Sequence, residues 1–265
     1  MAVAVLNTAD ADEKTTLSRA CAARWLAARE AGQVLPVGQA SPPDHPARPP
    51  RPELKEPRAM PRRRPGSPAG RLALIHAIAH IELNAVDLHW DIIARFTEQP
   101  MPMGFYDDWV KAADEEAKHF SLLSGVLQEM GSHYGALPAH SGMWRGALDT
   151  RHDLMARLAV VPMVLEARGL DVTPAMVALF GRHGPEAAVS ALEVIQAEEV
   201  GHVAYGSKWF HFLCGRNELD PKEAFHALVR RHFHGALKPP FNEEKRAEAG
   251  LPPDFYWPLV APTPG

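Results

Sequence analysis

Two short runs, EEAKH at 115–119 and EEVGH at 198–202, repeat one pattern of paired acids followed by a histidine. Glu116 with His119, and Glu199 with His202, are i, i+3 pairs, which on a helix put a carboxylate and an imidazole on the same face. Oxygen and imidazole donors so paired are a metal-ligand chemistry. One Glu-x-x-His alone is usually a solvated helix face, so the pattern gains meaning only from what accompanies it. Glu82 lies at helical spacing among Ile75, Ile78, Ala79, Val86 and Ile93, and Glu166 among Ala159, Pro162, Met163 and Leu170. Each is a lone acid in an apolar stripe. Glu116 follows Glu82 by 34 residues and Glu199 follows Glu166 by 33, so the chain reads as two similar halves.

Four buried carboxylates without counter-charge are prohibitively costly. Two divalent ions would neutralise them. Bridging carboxylates with one histidine per ion suit iron or manganese better than zinc, whose structural sites favour cysteine and histidine in fours. The candidate metal ligands are therefore Glu82, Glu116, His119, Glu166, Glu199 and His202. Glu115 and Glu198 stand at i, i+4 from their histidines and are taken as supporting or surface groups. With Asp87 and Asp91 they are the candidates to hold the far ring nitrogens of His119 and His202. His76, His80 and His89 share a helix with Glu82, and His89 falls seven residues on, roughly the same face; a third ligand on one metal is weighed there against a hydrogen-bonded core or surface histidine, which is the commoner case, and no role is assigned to them. His133 and His140, in a glycine-rich loop beside Tyr134 and Trp144, are given none either.

These residues need helices to hold them. Apolar periodicity predicts four long ones at about 71–97, 105–130, 148–168 and 185–213, with Gly169 as a C-cap for the third. Shorter helices are expected before Gly32, from Thr173-Pro174 to about His183, and from Asp220-Pro221 to about His234, the last two opening with a cap and proline at the first position. Pro162, one turn before Glu166, should disturb the local helix, and Gly201 should thin the one beside His202. No stretch alternates well enough to be a strand. The expected fold is all-α: a four-helix bundle over residues 71–214, preceded by a helix and an arm (1–70) and followed by a helix and a proline-rich tail (215–265) packed on the bundle.

Composition adds exclusions. The chain has 265 residues, 46% hydrophobic and 23% charged, a net charge of -4, and two cysteines, Cys21 and Cys214. That excludes a disulfide framework and gives no general reason to bind nucleic acid. No 18-residue apolar run and no basic leader occur, so a cytoplasmic protein without a membrane span is expected. Of 25 prolines, many fall between Val34 and Gly70 among Arg48, Arg51, Lys55, Arg58, Arg62, Arg63, Arg64 and Arg71. This basic arm must be extended. A surface strap is favoured over a grip on RNA or a partner protein, because no aromatics are interleaved for stacking.

Glu82, Glu116-x-x-His119, Glu166 and Glu199-x-x-His202 resemble the six-ligand motif of ferritin-like di-iron carboxylate proteins, over about residues 71–214. More closely, AHIELNAVDLHWD, DEEAKHF, VLEARGLDVTP and EEVGHVAYGSKWF resemble an uncharacterised bacterial ferritin-like family, which also has the basic proline-rich segment and the opening GRLALIHAIAHIEL. At greater distance the chain is similar to di-iron hydroxylases that modify a hypermodified adenosine in tRNA. The resemblance implies two iron ions, with manganese or mixed occupancy as variants, and an oxidase or monooxygenase acting on a small organic substrate. Since no nucleotide- or flavin-binding glycine motif is present, electrons would come from a separate donor. The alternatives are iron handling or peroxide removal, and a binding module with a structural metal. Two cysteines cannot furnish a rubredoxin-type centre, which weakens the rubrerythrin variant. A homodimer embraced by the arms is the expected assembly.

Overall fold

The computed structural model describes residues 1–39, 41–56, 59–61, 64–140 and 142–260. Pro57, Arg58, Arg62 and Arg63 of the basic arm, and Pro262 and Pro264 of the tail, lie outside them. The fold is all-α: α1 Ala2–Leu6, α2 Ala11–Glu30, α3 Pro68–Arg95, α4 Met103–Glu129, α5 Met143–Asp149, α6 Leu154–Val160, α7 Ala167–His183, α8 Glu186–Arg216, α9 Pro221–His232, α10 Glu243–Glu248 and α11 Pro253–Tyr256. A π-helical turn, Val161–Glu166, joins α6 to α7. The one strand pair among the described residues is two residues long: β1, Leu54–Lys55, parallel to β2, Ala139–His140. No described helix is long and apolar enough to cross a membrane.

The chain divides into two compact units, residues 1–145 with 177–194, and residues 146–176 with 195–265. In the first unit α3 and α4 pack along their length, with α2 against α4 and α1 against α3. Local chemistry fixes the helix starts. Asp10 caps α2 by accepting from the amides of Asp12 and Glu13, each at 3.0 Å, and Ser67 caps α3 through the Gly70 amide at 3.0 Å, with Pro68 at the first position. Because Glu82 meets His119 and His89 meets Glu116, α3 and α4 run antiparallel.

The arm lies as a strap on this unit. Arg95 donates to the Pro43 carbonyl at 2.8 Å, Trp144 Nε1 to that of Asp44 at 2.8 Å and Lys14 Nζ to that of Ala47 at 2.9 Å. The Ala47 amide returns a bond to the Leu6 carbonyl at 2.7 Å. The loop after α4 is pinned to α3: His76 Nε2 accepts from the Gly135 amide at 2.9 Å, and His80 bonds to the Tyr134 hydroxyl at 2.8 Å.

In the second unit α6 packs on α9, and Phe210, Phe225 and Phe255 stack edge-on and tilted in the core. Here the structure departs from expectation. The predicted helix 148–168 is interrupted at residues 150–153, where buried Arg157 bridges the break by donating to Thr150 Oγ1 at 2.9 Å and the Ala147 carbonyl at 2.7 Å. Asp153 then caps α6. Gly169 does not end a helix and Thr173 does not start one; both lie inside α7, with Pro174 in its interior. A proline there frees the carbonyl four residues back. Asn242 Nδ2 donates to that carbonyl, on Leu170, at 3.2 Å.

Candidate metal centre

In the first unit α3 carries Glu82 and His89, and α4 carries Glu116 and His119. Glu116, His119 and His89 are fully buried, and Glu82 nearly so. His119 Nδ1 lies 3.2 Å from Glu82 Oε2 and 3.4 Å from Glu116 Oε2. His89 Nε2 lies 3.3 Å from Glu116 Oε1. Burial, and then the neighbouring Glu116 carboxylate, push the Glu82 carboxyl well above the ordinary carboxylate range, with His119 pulling the other way. Two adjoining buried carboxylates are an arrangement a cation would relieve.

In the second unit Glu166 sits at the end of the π-helical turn, and Glu199 and His202 lie on α8, all buried. Each offers a ligand atom within 4.8 Å of the others. His202 Nδ1 is 3.8 Å from Glu199 Oε1, and Glu199 Oε2 is buried with no hydrogen-bond partner among the described residues. The π turn follows from Pro162, whose ring cannot donate to the carbonyl four residues back; such turns widen the helix by a residue and re-aim the side chains they carry. It is seated against Gly206, where a Cβ would stand 2.6 Å from Pro162 Cβ.

These spacings fit metal ligation. Donor atoms bound to one ion at about 2.1 Å, and about 90–110° apart, lie about 3.0–3.4 Å from each other. Charge-assisted hydrogen bonds are shorter, about 2.7–2.9 Å. The contacts around His119 and His89 match the first range, and the pair in the second unit is wider. Glu82, Glu116 and His119 come together in one unit, and Glu166, Glu199 and His202 in the other. The oxygen-rich donor set without cysteine suits a hard divalent ion such as iron or manganese.

Three of the supporting acids meet basic side chains. Asp87 pairs with Lys14 Nζ at 2.5 Å, beside a small cavity of about 30 Å³ that His80 and Asn84 also line, and Asp91 pairs with Arg95 at 2.7 Å. Glu115 lies 3.7 Å from Lys111 and Glu198 is half-buried. His133 and His140 are exposed. His89, weighed from sequence as a third ligand but given no role, is stacked on buried Trp109 at 5.2 Å between ring centres. Its signal was the seven-residue offset from Glu82. On the same two helices Trp90, Ile93, Ala94, Tyr106 and Val110 line an apolar cavity of about 200 Å³, with Trp25 of α2 and strap residues around it. The indole nitrogens of Trp25 and Trp90 are turned to Asp107 and Ser18, each at 2.7 Å.

A protein from Haemophilus influenzae (strain ATCC 51907 / DSM 11121 / KW20 / Rd), described as "Uncharacterized protein", is 38% identical over 208 residues, spanning 77% of this chain and 72% of the relative. No solved structure matches. The family described as "Protein of unknown function (DUF455)" matches residues 7–257, almost the whole length, and the chain belongs to it.

Proposed function

We propose that this protein is a ferritin-like two-metal oxidase or monooxygenase, holding iron, or iron with manganese, and acting on a small apolar organic substrate. The observation that carries the reading is the pair of buried Glu-Glu-His triads, the first with ligand-like spacing. One ion per triad balances the four carboxylates. That the two ions form one coupled pair is implied by the sequence motif and its matched intervals. When bound, such a pair supplies electrons and Lewis acidity for dioxygen.

The chain's own residues would do the rest. Glu82 and Glu116 hold charge that burial would otherwise neutralise, and His119 is oriented between them. Trp109 and its apolar neighbours exclude water. The 200 Å³ cavity, whose indoles present carbon rather than N–H, suits a small apolar molecule. Electrons would come from a partner protein. RNA stays the weaker substrate, because the described part of the basic arm is tied to the protein through its own carbonyls.

The deciding experiment loads the metal-free chain with ferrous iron under anaerobic conditions, counts iron per chain, and follows absorbance after oxygen is admitted. Two irons and rapid oxidation, both lost in Glu116→Ala and Glu199→Ala, are expected. Zero or one metal, or two that ignore oxygen, would sink the reading and leave a binding module. Oxidation with progressive mineral build-up would assign iron handling instead.

A further inference from the structure

We infer that His89 is a third histidine ligand, taking through Nε2 an ion on the Oε1 side of Glu116, so that the two ions of this protein are unequally liganded. The inference rests on the two-metal reading above and adds a residue which the six-ligand motif does not contain.

Its basis is the way Glu116 divides its carboxylate. Oε2 faces His119 Nδ1 at 3.4 Å, while Oε1 faces His89 Nε2 at 3.3 Å. One carboxylate presenting each oxygen to a different imidazole is placed to serve both sides at once. The 3.3 Å separation is long for a charge-assisted hydrogen bond and matches two donors on one ion. His89 is fully buried, and the Trp109 ring stacked at 28° to it fixes its plane. A ligand must be held in this way before the ion arrives.

The second unit offers no counterpart at the same offset. Seven residues after Glu82 comes His89, whereas seven after Glu166 comes Thr173, which is buried in α7. The chain therefore supplies three imidazoles to two ions, and three cannot be shared equally. A neutral histidine leaves the balance of four carboxylates against two divalent ions unchanged. The ion with the extra nitrogen binds tighter and fills first, and the other exchanges more freely. Because imidazole raises affinity along the divalent series from manganese to iron, the sites also discriminate between these metals.

A bland alternative is a histidine that only steadies Glu116 through a hydrogen bond. Calorimetric titration of the metal-free chain with Co(II) separates the two. The wild-type chain should bind two ions in steps of unequal affinity. His89→Ala should weaken one step by at least about 100-fold, beyond the 10–100-fold that loss of a supporting hydrogen bond costs, and millimolar imidazole should restore it. His89→Gln keeps a donor toward Glu116, so it should fail like the alanine variant. Two wild-type-like steps in His89→Gln would overturn the inference while leaving the two-metal reading intact. A wild-type chain that binds fewer than two ions would overturn that reading and this inference with it. Should the variants not fold, pulsed EPR of the wild-type protein with two Mn(II) and ¹⁵N-labelled histidine decides: three coordinated imidazole nitrogens support the inference and two overturn it.

Discussion

Lys14 on α2 and Asp87 on α3 form an ion pair with Nζ 2.5 Å from Oδ1 and both side chains buried. Burial depresses the lysine's proton affinity and pushes the Asp87 carboxyl up to about 6, opposed by their mutual attraction and, at Asp87, by the charge of Arg48. A buried pair of this kind is weak in net stabilisation yet costly to break.

Lys14→Met should accordingly destabilise the protein by about 3–5 kcal/mol, because Asp87 would be left buried beside only the partly buried Arg48. The double variant Lys14→Met with Asp87→Leu should recover most of that loss. Urea unfolding at neutral pH measures both. A single variant within about 1 kcal/mol of wild type would show that water already reaches the pair.

Glu82 carries a stability cost that a ligand role would explain. Since burial and Glu116 disfavour its ionised form, Glu82→Gln should raise the melting temperature of the metal-free chain by about 2–4 °C, roughly 1 kcal/mol for this size. The same change should abolish the melting-temperature rise that Fe(II) or Co(II) gives the wild type. Thermal scans with and without metal should show shifts of opposite sign, and two shifts of the same sign would count against Glu82 as a ligand.

Asn242 compensates for Pro174. It donates to the carbonyl the proline frees and accepts from the Lys245 amide at 3.2 Å as cap of α10. Asn242→Ala should cost about 1–2 kcal/mol. In a Pro174→Ala background, where an amide again satisfies Leu170, the cost should fall by about 1 kcal/mol. A double-mutant cycle with no coupling would separate the two residues.

The two thiols should be silent. Cys21 and Cys214 are buried, and burial pushes Cys214 up to about 11, so almost no thiolate is present at pH 8. A thiol reagent should label neither until denaturant is added, after which it should label both. Labelling of the native protein within minutes would reveal local opening of α2 or α8.

What the sequence reveals of this fold depends on how local each signal is. α3, α4, α8 and α9 lie close to their predicted bounds because apolar periodicity and caps such as Asp220-Pro221 are local signals, and α3 starts a turn early on the Ser67-Pro68 cap. The region from 150 to 183 misleads because its determinants are distant. Pro174 is rescued from position 242, and the break before α6 is spanned by an arginine that reads as a surface residue until its partners are seen. Pro162 was legible as a disturbance, since its missing amide is a property of the residue itself. All six predicted ligands are buried, three in each unit: Glu-x-x-His sets two donors on one helix face, and the apolar stripes around Glu82 and Glu166 turn those faces inward. His89 was not separable by offset from an ordinary core histidine. Only its distance to Glu116 distinguishes it.

The strap is gripped by its carbonyls: the side chains of Arg95, Trp144 and Lys14 each take a backbone oxygen from it. A segment read in this way is recognised largely by the shape of its main chain, which leaves its exposed side chains freer to change than Arg48, which faces Asp87. Proline brings no amide that would need a partner, and it pre-stiffens the path, so less freedom is lost when the strap is laid down. The richness in proline is then a mooring device. Substitutions along this stretch should drift widely between relatives while the groups that hold it, on α2, α3 and α5, stay fixed.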